Sequence, residues 1–114
     1  EQLMKAHPYA SMLKGAPLAI LVCADTNLQL SPGYWPVDCS AASQNILLAA
    51  HARGLGSVWL GVYPREERKN AISKIFELPA NIEPFSLIVL GYPDENKKPP
   101  ERFRADRIHL NGWK

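Results

Sequence analysis

A chain of 114 residues, 46% of them hydrophobic, suits one globular domain and leaves little room for a second. Its formal charge of +2 is far from the concentrated basic excess of a nucleic-acid-binding domain, and no apolar run reaches the roughly 20 residues needed to span a bilayer. The N-terminal stretch has no signal-peptide organisation, so the chain reads as soluble, intracellular and cytoplasmic.

Glu1 to Lys14 carries a loose helical pattern through Leu3, Met4, Ala6, Ala10 and Leu13. His7-Pro8 interrupts it, because the residue before a proline is pushed out of the α region. The chain opens inside this pattern on Glu1 and not on methionine, which predicts that a natural N-terminal part is missing. Leu18 to Ala24 is an unbroken apolar run, the pattern of a strand covered on both faces. Asp25 to Gly33 is polar and turn-rich and reads as a loop. Tyr34 and Trp35 adjoin it, and either pack on the core or flank a substrate opening. Cys23 and Cys39 match no CxxC spacing and read as reduced core residues.

The stretch from Asp38 to Val62 organises the rest. Asp38 is placed to cap a helix, with Pro36 just ahead of it. Ala41, Ala42, Ile46, Leu47, Leu48, Ala49, Ala50 and Ala52 cover most of the circumference, so the helix is expected to be buried on several sides, in part by a second subunit. Gly54 suits a left-handed helix stop with Leu55 folding back near Ala50. Gly56 then leads into a strand, Ser57 to Tyr63. Alternation places Val58, Leu60 and Val62 on one face, and Ser57, Trp59, Gly61 and Tyr63 on the other. A glycine inside a strand marks either a bend or close backbone approach by something else, and both readings stay open for Gly61.

An amphipathic helix follows within residues 64–79, with Glu66 and Glu67 in its first turn and Ile72, Ile75 and Phe76 as its apolar stripe. Its charges, Arg65 and Arg68 among them, read as a solvated face. After a turn around Asn81 and Pro84, Phe85 to Leu90 is a second buried strand. The tail from Asp94 to Lys114 has no long apolar run, yet it holds Phe103, Ile108, Leu110 and Trp113, too many large apolar groups for a disordered segment. Its cations, Lys97, Lys98, Arg102, Arg104 and Arg107, serve either solubility or phosphate binding, to which arginine forks are matched.

No GxGxxG, GxxxxGK, HExxH or GxSxG signature is present, which removes most support for kinase, zinc-protease and serine-hydrolase readings. Four segments in order, HPYASMLKGAPLAILVCAD, YWPVDCSAASQNILLAAHARGLGSVWLG, LGYPDENKKPPERF and RIHLNGW, resemble the nitroreductase family of FMN-dependent oxidoreductases. The resemblance implies an α+β layered sandwich over 1–114, a central mixed sheet flanked by helices. It also implies a homodimer with FMN at the interface and a C-terminal arm (94–114) reaching over the partner. It places Trp59, Leu60, Gly61 and the neighbouring Val62 along the flavin ring, with Leu60-Gly61 amides donating to it. Arg102 falls at the flavin phosphate, helped by Arg104 or Lys98. The implied activity is hydride transfer from NAD(P)H through the flavin to a nitroaromatic, quinone or similar small acceptor. The family's N-terminal arginine-rich motif and the Pro-Ser/Asn-Gln-Pro-Trp region after it belong upstream of Glu1. Rival readings are a non-catalytic dimeric interaction protein, and a flavoenzyme of the same fold that carries out dehalogenation or flavin breakdown.

Overall fold

The computed structural model describes residues 1–113; Lys114, the last residue of the expected arm, lies outside them. Three strands, β1 (Leu18–Asp25), β2 (Gly56–Gly61) and β3 (Ile82–Gly91), form one sheet in the order β1-β3-β2. Helix α1 (Gln2–Ala6), helix α2 (Trp35–Ala52) and helix α3 (Glu66–Phe76) pack around it. Both ladders are antiparallel, so the described strands make an antiparallel sheet where a mixed one was expected.

The alternation of side chains divides the core into two layers. Ala19, Leu21, Leu60, Val62, Leu87 and Val89 face α1 and α3 and pack with Leu3, Ala6, Ala10 and Ile72. Ile20, Val22, Trp59, Ile88 and Leu90 face α2 and pack with Ile46, Leu47, Ala50 and Leu55. β3 is the middle strand and is buried from Pro84 to Leu90, as an apolar run covered on both faces requires.

Proline in a middle strand normally argues against the strand, since it cannot donate to the ladder. A bulge accommodates it here. Val22 pairs with Ser86 and Cys23 with Pro84, which leaves Phe85 as the extra residue on β3. The strand therefore runs back to Ile82 through the position expected to be a turn. The bulge also lets Phe85 leave the row of Leu87 and Val89 and join Trp35, Trp59 and Tyr63, whose ring centroids lie 5.8–6.1 Å from its own.

α2 begins three residues earlier than Asp38. The Tyr34 carbonyl accepts from the amides of Val37 and Asp38 at 2.9 and 3.1 Å, and Asp38 lies in the first turn and not at the cap. Pro36 permits this, because its missing N–H falls where a helix has no internal acceptor. The other end closes as expected. Gly54 has φ +74°, its amide donates to the His51 carbonyl, and the Leu55 amide donates to the Ala50 carbonyl, both at 3.0 Å. Cys39, Ser43 and Ala50 are the buried residues of this helix, so its apolar circumference is not covered on several sides by this chain. Ser43 anchors it to the sheet by a 2.7 Å hydrogen bond with Ser86, both hydroxyls fully buried.

α3 starts at Glu66 and stops when Glu77 turns left-handed at φ 51°, with the Leu78 amide returning to the Ser73 carbonyl at 2.9 Å. At its start Lys69 bridges Glu66 and Glu83, tying the helix to the beginning of β3. The first helical stretch is broken at His7-Pro8 as expected, into α1 and a separate 3-10 turn over Ser11–Lys14. Beyond Gly91 the chain runs along the outside, leaving Tyr92, Phe103, Leu110 and Trp113 at least 71% exposed. The radius of gyration, 16.7 Å, accordingly exceeds the roughly 13 Å of a compact chain this long.

Candidate functional site

β2 is one of the two edge strands of the described sheet, and it ends at Gly61. The Val62 amide donates to the Phe85 carbonyl at 3.1 Å, toward β3. Because neighbouring amides of a strand point to opposite sides, the Gly61 N–H points away from β3 to the free edge, while the Leu60 N–H faces its partner strand. Of the two amides expected to serve a ligand, Gly61 therefore has the outward one. A Cβ added at Gly61 would meet no atom within 4 Å, so the space over this face of the strand end is open.

Trp59 on the strand and Tyr63 just beyond its end stand on either side of Gly61 in the chain, and both rings pack against Phe85. Trp35 closes edge-on against Tyr63, centroids 4.8 Å apart. Trp35 packs on the cluster, as the core reading expects, whereas Tyr34 is 62% exposed. Each lines a groove of about 540 Å³ between the end of β1, the loop at Leu28–Ser31 and the start of α2. Cys23 and Cys39 lie in its wall. Burial, reinforced by Cys39, pushes the Cys23 thiol up to about 11, and burial with Asp38 nearby raises that of Cys39. Neither is poised as a nucleophile, in line with the reading of both as reduced core residues.

Two residues that pattern alone did not single out converge on Gly61. His7 is 2% exposed, and its Nε2 lies 2.9 Å from the Gly61 carbonyl. The Tyr9 amide donates to Nδ1 at 3.2 Å, which assigns the ring proton to Nε2 and makes His7 the donor. Arg68 Nη1 donates to the same carbonyl at 2.9 Å. Its 3.2 Å approach to Nε2 brings two donors side by side onto one acceptor.

Burial holds the His7 pKa below its ordinary 6.5; the bond to Gly61 opposes this and the Arg68 charge adds to it. The unfolded chain therefore takes up a proton that the folded chain refuses. The stability from neutral His7 is fully present above pH 6.5 and is lost as pH falls from there toward the lower folded value. Urea unfolding between pH 5 and 8 is expected to show this loss, with a slope of at most about 1.4 kcal/mol per pH unit. In His7→Gln that component should vanish; an unchanged slope would remove the assignment.

The tail arginines stand apart from this cluster. Arg104 forms a two-point ion pair with Asp106, at 2.9 and 2.7 Å, and both are exposed. Arg102 is exposed, and among the described residues no hydrogen bond joins either arginine to β2.

The nitroreductase family model matches residues 1–92. This chain belongs to the nitroreductase family. It is 54% identical over 113 residues to a provisionally named NADH dehydrogenase/NAD(P)H nitroreductase of Methanothermobacter thermautotrophicus, covering 99% of this chain and 59% of the relative. Among solved structures, a provisionally named NADH oxidase of Clostridium acetobutylicum superposes with a TM-score of 0.94 at 42% identity, covering 98% of this chain and 68% of that one. An FMN-dependent nitroreductase of Clostridium difficile R20291 does so with 0.86 at 30% identity, covering 98% and 68%. The nitroreductase-like α+β fold expected from the four segments is thereby established. The chain spans 59% of the length of the Methanothermobacter thermautotrophicus nitroreductase relative.

Proposed function

We propose that this chain forms part of an FMN-dependent oxidoreductase that takes hydride from NAD(P)H and reduces small organic acceptors such as nitroaromatics or quinones. The observation that carries the proposal is the end of β2: an outward glycine amide at a residue whose bare Cα faces open space, with aromatic residues on either side in the chain, in a chain of the nitroreductase family. Bound FMN would supply the redox chemistry, accepting hydride and passing it on. What remains for the polypeptide is binding, orientation and charge stabilisation, which fits a site without a nucleophile or acid-base pair.

Each residue has a role suited to its position. Trp59, Leu60 and Gly61 would hold the ring, with the Gly61 N–H as donor where negative charge grows on reduction. Arg102, with Arg104 or Lys98, would bind the phosphate. The exposed side chains Phe103, Leu110 and Trp113, with Val37 and Leu48 on α2, offer apolar surface that a second copy of the chain would cover. A homodimer with an exchanged arm would also bring a tail arginine to a site that its own chain does not reach.

FMN titration of the natural full-length protein, followed by quenching of flavin fluorescence, tests this reading. Saturable binding is expected at one FMN per subunit, and no binding would overturn the proposal. Arg102→Ala is expected to weaken that binding roughly tenfold, the loss of a charge-assisted hydrogen bond, with little change in thermal midpoint. Unchanged affinity would remove Arg102 from the site.

A further inference from the structure

Gly61 presents a difficulty for any ligand that depends on its amide. Glycine has the freest backbone of all residues, and this one ends an edge strand with no Cβ to hold it and no packing within 4 Å of where one would be. An amide left to itself there would sample many directions, and each productive contact would cost ordering entropy.

The carbonyl of the same residue is held from two directions. His7 donates from Nε2 and Arg68 from Nη1, each at 2.9 Å. His7 comes from the break after α1, where Pro8 ends the helix and the Tyr9 amide fixes the ring through Nδ1. Arg68 reaches back from the first turn of α3. One residue later, the Val62 and Tyr63 amides both donate to the Phe85 carbonyl, at 3.1 and 2.9 Å, and hold the chain from the β3 side. In an extended strand the N–H and C=O of one residue point to the same side. Fixing the carbonyl of Gly61 therefore fixes its N–H.

We infer that His7 and Arg68 are positioning residues: their joint hold on the Gly61 carbonyl aims the Gly61 amide at the flavin ring. The inference rests on the flavin reading above. Neither side chain need touch the flavin. Their effect is pre-organisation, which lowers the ordering cost of binding and keeps the donor aimed where charge develops. A merely structural role would place the same two side chains in the fold and leave the amide indifferent to them.

The test uses the natural full-length protein and two readouts: the 15N order parameter of the Gly61 amide in the flavin-free protein, and FMN affinity. His7→Phe keeps a buried aromatic ring and removes the donor; Arg68→Met keeps the apolar stem and removes the fork. In the double variant the order parameter is expected to fall from the rigid value of about 0.85 toward about 0.6, and FMN to bind roughly tenfold more weakly. Each single variant should fall between, and Arg68→Lys, which retains a donor and the charge, should recover part of the loss. Ile72→Val, a destabilising change in the core under α3, should alter neither readout. A double variant that is less stable yet keeps both the Gly61 order and the FMN affinity would overturn the inference. A wild-type protein that binds no FMN would instead overturn the flavin reading, and the positioning role with it.

Discussion

Gly61→Val is expected to yield a folded protein that cannot retain FMN. The fold has room for the side chain: the new Cβ meets nothing within 4 Å, and Gly61 is not among the glycines with positive φ, which are Gly33, Gly54 and Gly112. A β-branched residue also suits a strand, so stability should change by less than about 1 kcal/mol. If the flavin ring lies face-on over the strand end while accepting from the Gly61 N–H, it occupies that same open space, and valine would fill it. FMN affinity should drop on the order of 100-fold, equivalent to about 2.8 kcal/mol. Parallel denaturant unfolding and FMN titration separate the two effects. A variant that purifies yellow and turns over normally would show that Gly61 serves only the sheet.

Ile72→Ala should do the reverse, damaging the fold first and the site as a consequence. Ile72 is fully buried and carries α3 onto the Leu60, Val62, Leu87 and Val89 layer of the sheet. Truncation removes burial energy and leaves a cavity in a layer bounded by a helix of only 11 residues. The expected cost is about 2–5 kcal/mol, a large share of the 5–15 kcal/mol typical of a domain. Urea unfolding measures it directly. A change below about 1 kcal/mol would mean that α3 repacks to close the gap.

Much of this architecture is legible in the sequence because it is written in short periods. The runs Leu18–Ala24 and Phe85–Leu90 are both strands, and Gly54-Leu55 closes α2 as its pattern requires; only the second run is buried on both faces, since β1 lies at a sheet edge and is half-buried. Gly61 stands out as a bare position in an apolar strand. What escaped depends on contacts between distant residues. His7 and Gly61 are 54 positions apart, and nothing local marks a histidine before a proline as a donor to a strand end. Arg68 reads as part of a solvated helix face until the turn at Tyr63-Pro64 brings it back to the end of β2. Pro84 looks like a turn because the bulge that accommodates it exists only once β1 is paired. Asp38 looks like a cap because proline's tolerance at a helix start lets α2 begin at Trp35 without one. The helix break at Pro8 is legible in the sequence, but the burial of His7 beside it comes only with the fold.

The central claim is that β2 and the tail of this chain help to build a redox site for FMN. The visible spectrum of the natural full-length protein, recorded anaerobically before and after addition of NADH or NADPH, tests it most directly. The account predicts a yellow protein that releases FMN on heating and whose flavin absorption bleaches with at least one of the two nucleotides. A colourless protein that takes up no added FMN, or a bound flavin that neither nucleotide bleaches, would contradict it.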